Sequence, residues 1–346
     1  MSPKNSVPPP SKKEKSTGRV LFAATEAEIL AGLTTDVYLA RALKVLKAEQ
    51  LADTEVVMEV FSRGEGVFCG VVEAINLLRK LKVEAWALNE SQLFHPKECV
   101  LRIRGPYSVF GLFETAILGL LASSSAWATA AAECRQAAGE LSVLSFGARH
   151  IHPAVAPVMD RAAFLGGVNG VSTVLGASYL DIEPSGTMPH ALILIMNDTV
   201  KAAEAFERHL EPKIKRTVLV DTFKDEVEES LRVAQALGKN LYGLRFDTPA
   251  ERGGVTPDLI KEARLRLDLA GYKQVKLFVS GGLSPQKIRN FIEQQAPVDG
   301  FGVGSYIAGA RPIDFTADIK EVAKRPVAKR GRIPGLTANW RLNKVL

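Results

Sequence analysis

From Thr217 to Thr248 the chain reads TVLVDTFKDEVEESLRVAQALGKNLYGLRFDT, and these residues settle the architecture. Two short apolar runs, 217–220 and 241–246, each end on Asp-Thr: Asp221-Thr222 and Asp247-Thr248. Residues 225–237 between them read as a helix. A strand, a helix and a second strand of this length predict a βαβ unit with parallel strands. The rhythm continues outward in both directions. Apolar runs at 141–144, 191–196, 275–279 and 298–303 read as further strands, and 200–209, 257–270 and 285–294 as the helices between them. The number of such units predicts a barrel, and since only six or seven strands are visible, an incomplete one.

Each run gives way to polar residues or glycines. Residues 141–144 lead to Ser145-Phe146-Gly147-Ala148-Arg149, residues 275–279 to Ser280-Gly281-Gly282, and residues 298–303 to Gly304-Ser305. In a parallel barrel these ends share the C-terminal rim, where barrel active sites lie. Glycine turns let backbone N–H groups approach an anion, and a following helix adds its positive end. Ser280, Gly281, Gly282, Gly302, Gly304 and Ser305 are therefore expected to cradle a sugar phosphate. Turn chemistry alone explains a single Gly-Gly pair, but two such loops at successive strand ends favour the phosphate reading.

Before residue 132 the pattern is mixed: a helix at 35–51, strands at 55–61 and 92–104 (the latter broken by Gly105-Pro106), a helix at 67–81, and a long apolar helix at 110–132. A helix that apolar is expected to be buried or to lie at a subunit interface. The composition, 47% hydrophobic and 24% charged, is that of a soluble globular protein. The longest uninterrupted apolar runs, 116–122 and 191–196, fall well short of the roughly 18 residues of a membrane span. Residues 1–16 read as a disordered basic tail without the apolar stretch of a secretory signal. Cys69, Cys99 and Cys134 form no CxxC pair, so neither a disulfide framework nor a zinc site is expected, and a cytoplasmic setting fits. His150 and His152 form an HxH pair with no third ligand in view, and no structural metal is assigned to them. The net charge of +6 is concentrated at the two ends without aromatic interleaving, which argues against nucleic-acid binding and for anionic substrates.

In order and spacing, a series of segments resembles the type II phosphoribosyltransferases, and within them the nicotinate phosphoribosyltransferase group. The segments are Leu33-Thr34-Thr35-Asp36-Val37-Tyr38, Phe113-Glu114-Thr115, Ser145 to Arg149, Gly166-Gly167-Val168-Asn169-Gly170, Gly186-Thr187-Met188-Pro189-His190, Leu219-Val220-Asp221-Thr222, Leu244-Arg245-Phe246-Asp247 and the two glycine loops. The resemblance runs from about Leu33 to the C-terminus. It implies an N-terminal α/β domain over 17–132, rejoined by 311–346, and an irregular β/α barrel over 133–310. It also implies a homodimer or larger assembly, in which the partner's N-terminal domain closes each site. The implied reaction joins nicotinate to phosphoribosyl pyrophosphate in NAD biosynthesis.

By the same resemblance Asp221 and Asp247 hold the ribose hydroxyls and the Mg²⁺ of the sugar substrate. Arg149 meets an anionic substrate group, a carboxylate or the pyrophosphate. Phe146 and Thr187 line the pyridine, Tyr38 reaches the ring from the partner subunit, and Arg63 matches an interface segment. His190 stands where the family carries a histidine that ATP phosphorylates, although Pro189 and Ala191 depart from the usual neighbours. Quinolinate is the rival substrate. Its second carboxylate needs basic residues after the glycine pair, where this chain has Val168-Asn169-Gly170-Val171. Nicotinamide is the neutral rival. From other classes, a phosphosugar isomerase or lyase would need a lysine or glutamate base at a strand end, and a non-catalytic phosphate-binding barrel would share the loops.

Overall fold

A computed structural model describes residues 20–346; the tail expected over 1–16 lies outside the described residues. Two compact units emerge, one of residues up to 128 together with 311–346, the other of residues 129–310.

The first unit is built on a six-stranded sheet. Its central strand, Glu55–Ser62, pairs antiparallel with Cys99–Pro106 on one side and with Phe315–Val322, from the C-terminal segment, on the other. Phe68, Phe94 and Phe315 meet edge-on or tilted in its core, with Phe94 and Phe315 centroids 5.3 Å apart. The single strand expected over 92–104 is two, Leu93–Phe94 and Cys99–Pro106. Between them Pro96 withholds an N–H and Lys97 adopts φ +65°, a turn that no ladder accommodates. The expected break at Gly105-Pro106 is a strand end, since Glu55 still pairs with Pro106. The helix expected from residue 67 begins at Val71, after Gly70 at φ +90°. There a Cβ would lie 2.5 Å from the Leu120 carbonyl oxygen, so only glycine fits. One helical stretch, 107–138, is long and apolar enough by length and composition to cross a membrane. Its Phe110, Ile117 and Leu121 are fully buried in the first unit's core, which accounts for their character.

The second unit is the parallel β/α half-barrel. In chain order its strands are Ser142–Ser145, Gly170–Val171, Thr217–Leu219, Gly243–Phe246, Lys276–Val279 and Gly300–Val303. Across the sheet they run second, first, sixth, fifth, fourth, third, with each neighbouring pair parallel. That is a barrel order opened between the second and third strands. The expected strand at 191–196 belongs in the gap but is a helix, His190–Met196, ended by Asn197 in the left-handed conformation. A six-residue apolar run has no period to separate strand from helix. The gap is instead bridged by the extended segment just before it: Ser185 N–H donates to the Val171 carbonyl at 2.7 Å, and Met188 N–H to the Thr217 carbonyl at 3.3 Å.

Alternation along these strands is reversed from a filled barrel. Outward residues such as Val143, Leu244, Phe246, Leu277, Val279 and Val303 are fully buried, whereas inward Leu144, Arg245 and Phe278 stay partly exposed. Barrel interiors are ordinarily packed with side chains. This one is hollow, because Gly243, Gly300 and Gly302 supply none.

Candidate active site

The C-terminal ends of the strands enclose a cavity of about 390 Å³ lined by Phe146, Arg149, Asp247, Ser280, Gly281, Gly282, Gly302, Gly304 and Ser305. A deeper cavity of about 500 Å³ occupies the hollow interior. Phe146, Arg245 and Gly302 line both, so the two spaces meet at these residues.

Glycine makes the rim possible. Gly281 and Gly282 hold φ +95° and +59°, and a Cβ on Gly281 would press to 3.3 Å from Asp247 Oδ1. Gly302 lies under the Phe146 ring, where a Cβ would come within 2.4 Å. Among the described residues, no carbonyl or side chain takes the N–H groups of Gly281, Gly282 or Ser305, and donors left open this way suit an anion. Ser280 differs from the other expected cradle residues. It is buried, its N–H goes to the Phe246 carbonyl and its hydroxyl donates to Asp247 Oδ1 at 2.8 Å, so it braces Asp247. The helix after the first glycine turn, Pro285–Glu293, is two and a half turns long and capped by Ser284. The one after Gly304, Ser305–Ala308, is a single turn, so its dipole is slight. Lys287, which carries no signal in the sequence pattern, extends its ammonium to within 3.6 Å of a Cβ placed on Gly282.

Where the cavities join, Arg245 is the organising side chain. It donates to Thr187 Oγ1, pairs with Asp247 Oδ2 at 3.0 Å and lies 5.7 Å from the Phe146 ring centre. Its Nε is buried without a partner in the structure. The sequence contains the signal, a cation inside an otherwise apolar strand at an inward position, but Asp247 at the strand end is the more conspicuous residue. Arg149 is exposed on the rim with the glycine turns and does not line the interior.

His190, at the start of its helix, places Nε2 3.1 Å from Asp221 Oδ2. That hydrogen bond raises the imidazole pKa above its ordinary value against the opposing effect of burial, with Asp247 adding to the rise. His190 thus feels both carboxylates. Among the described residues no group of three or more His, Cys, Asp or Glu is disposed to hold a metal ion. Asp247, on the rim, fits Mg²⁺ that arrives on substrate oxygens, whereas the Asp221 carboxylate is buried against His190 and lines neither cavity. Tyr38 and Arg63 belong to the other unit and are exposed there, Tyr38 on the helix Val37–Ala48 and Arg63 just after a strand.

A hollow parallel half-barrel with an anion-ready rim, in a chain that also carries an antiparallel α/β unit, is the architecture of a type II phosphoribosyltransferase. The chain belongs to the quinolinate phosphoribosyl transferase family: residues 11–125 match the model of its N-terminal domain and residues 127–318 that of its C-terminal domain. It is similar to a structure described as nicotinate-nucleotide pyrophosphorylase from Pyrococcus furiosus, with 46% identity and a TM-score of 0.88 over 92% of this chain and 82% of that one. A nicotinate phosphoribosyltransferase of Mycobacterium tuberculosis is 34% identical over 66% of this chain and 49% of its own length. One from Bacillus subtilis is 27% identical over 80% of this chain and 64% of its own. The chain thus spans about half to two thirds of the length of these curated relatives. The fold is shared with human nicotinic acid phosphoribosyltransferase, at 18% identity and a TM-score of 0.68 over 87% of this chain and 77% of that one.

Proposed function

We propose that this protein transfers the phosphoribosyl group of phosphoribosyl pyrophosphate to nicotinate, giving nicotinate mononucleotide and pyrophosphate. The observation that carries the reading is Arg245: a single fixed guanidinium with a free buried N–H, beside Phe146, at the inner end of a cavity whose outer end suits a sugar phosphate. A flat aromatic ring with one carboxylate matches one guanidinium beside an aromatic face. Arg149 is then left for the phosphate side of the site, with Gly281, Gly282, Gly304 and Ser305 on the sugar phosphate and Thr187 steering Arg245.

In the reaction the pyridine nitrogen forms a bond to C1 of the ribose as the bond from C1 to the pyrophosphate oxygen breaks. Positive charge grows on the ribose; Asp247, on the rim, stabilises it and holds its hydroxyls, and Asp221, whose carboxylate is held by His190, adds its negative charge. Magnesium carried by the sugar substrate would be met by Asp247 and would supply charge neutralisation for the leaving pyrophosphate. In an ATP-coupled form of the reaction His190 would accept the γ-phosphoryl group of ATP as its bond to the ADP oxygen breaks and ADP leaves. With Nε2 turned to Asp221, the attacking atom is Nδ1. A homodimer would bring Tyr38 and Arg63 of one subunit to the site of the other.

Quinolinate is the second reading, favoured by the family description. Against it, the loop before the second strand offers Asn169, whose side-chain oxygen is already bound to Val143 N–H, and no cation for a second carboxylate. Initial rates with nicotinate, quinolinate and nicotinamide, each with phosphoribosyl pyrophosphate and Mg²⁺ and with or without ATP, test both readings. Nicotinate should turn over fastest. A higher kcat/KM for quinolinate overturns the assignment.

A further inference from the structure

The hollow interior continues past the pyridine pocket. From Phe146, Arg245 and Gly302 it passes Leu144 and Phe278 and reaches Ser142, Asn169, Lys213, Lys215 and Tyr242, which stand where the strands begin. There a second depression of about 480 Å³ shares Lys213, Ile214, Lys215 and Tyr242 with it. Two glycines hold the lower half open: a Cβ on Gly243 would meet the Phe278 ring at 2.8 Å, and one on Gly300 the Ser142 hydroxyl at 2.4 Å. The walls are aromatic, Tyr242 stacking on Phe278 with centroids 6.0 Å apart and planes at 24°. The mouth carries Lys213, Lys215 and Glu183, one positive charge net, with Lys215 as its cation not paired to a carboxylate. Lys215 is exposed, its ammonium 4.6 Å from the Tyr242 ring centre and 3.4 Å from its hydroxyl. Lys213 pairs with Glu183 and Glu211, both on exposed surface.

We propose that this shaft is a passage by which the aromatic acid reaches Arg245 from the lower mouth while the phosphoribosyl substrate occupies the upper rim. A cation at the entrance, stacked rings along the wall and a guanidinium at the far end form a sequence of contacts suited to a flat aromatic anion. A phosphorylated sugar finds its N–H donors only at the opposite end. The two substrates then do not compete for one opening, and the pyridine acid enters after the rim is filled. The passage presupposes the phosphoribosyl transfer proposed for this site.

The test is a reversible plug. The native cysteines are all buried, so a Lys215→Cys variant offers one accessible thiol for a benzophenone-bearing methanethiosulfonate, removable by reductant. The enzyme is preloaded with phosphoribosyl pyrophosphate and Mg²⁺, nicotinate is added, and single-turnover rates are followed at subsaturating nicotinate. Modification should slow the rate by about tenfold or more, leave the KM for phosphoribosyl pyrophosphate unchanged, and be undone by reduction. As an independent arm, Lys215→Glu should raise the nicotinate KM several-fold at low salt, with kcat unaltered. Rates insensitive to the plug, with turnover intact, overturn the passage alone. An unmodified variant and a wild-type protein that both fail to transfer phosphoribosyl to any pyridine acid overturn the reaction and the passage with it.

Discussion

Arg245 commits its guanidinium to Thr187 and Asp247 and leaves Nε buried and unmatched. A buried donor without a partner costs about 1–3 kcal/mol, a cost that a bound carboxylate removes. Arg245→Ala should therefore raise the nicotinate KM by about 10- to 150-fold while affecting nicotinamide less, since a charged hydrogen bond is worth roughly 1.5–3 kcal/mol. Equal losses for the acid and the amide would show that Arg245 does not read the carboxylate. His190 yields a pH signature. Its raised pKa means that Asp221 favours the imidazolium, so this pair stabilises the fold fully below the unfolded value of about 6.5. The contribution is lost as pH rises through the higher folded value. Phosphorylation needs the neutral ring, so ATP labelling of His190 should increase with pH across that same folded value. Imidazole NMR titration beside phosphohistidine mass spectrometry checks both, and a His190 that titrates at or below 6.5 contradicts the Asp221 contact.

At the scale of elements, the site is assembled from what barrel strands omit. Gly302 gives up its side chain to Phe146, and Gly243 and Gly300 yield space to Phe278 and Ser142. Gly302→Ala should shift Phe146 at a cost of about 1–3 kcal/mol, the range for overpacking. The expected result is a pyridine-acid KM raised about tenfold or more with native circular dichroism, because the strand remains paired. Unchanged affinity would mean that Phe146 does not touch the ring. The strand ends at 145, 221, 247, 280 and 304 are legible in the sequence because a polar residue after an apolar run is a local pattern. The helix at His190–Met196 is not: seven residues are too few for periodicity to speak, and the bridge at Ser185–Met188 has no apolar signature at all.

For the whole molecule, burial governs the thiols. Burial raises the Cys99 and Cys134 pKa values, Cys134 to about 12, and Cys69 is buried as well. The native protein should show no reactive thiol toward Ellman's reagent at pH 8, and three in denaturant. A thiol that reacts rapidly in the native state would contradict the packing around it.

Residue order alone establishes that strands alternate with helices over 141–303, that their polar ends share one rim, and that two of those ends are glycine turns. These are short-range properties, written in runs and spacings of a few residues. Three other facts come from the folded chain and nowhere else: the barrel is hollow, an irregular segment fills its gap, and Arg245 joins Thr187, Asp247 and Phe146 at the junction of two cavities. They depend on which residues face each other across strands far apart in the chain, and the space left by three glycines becomes visible only when the walls around it are in place.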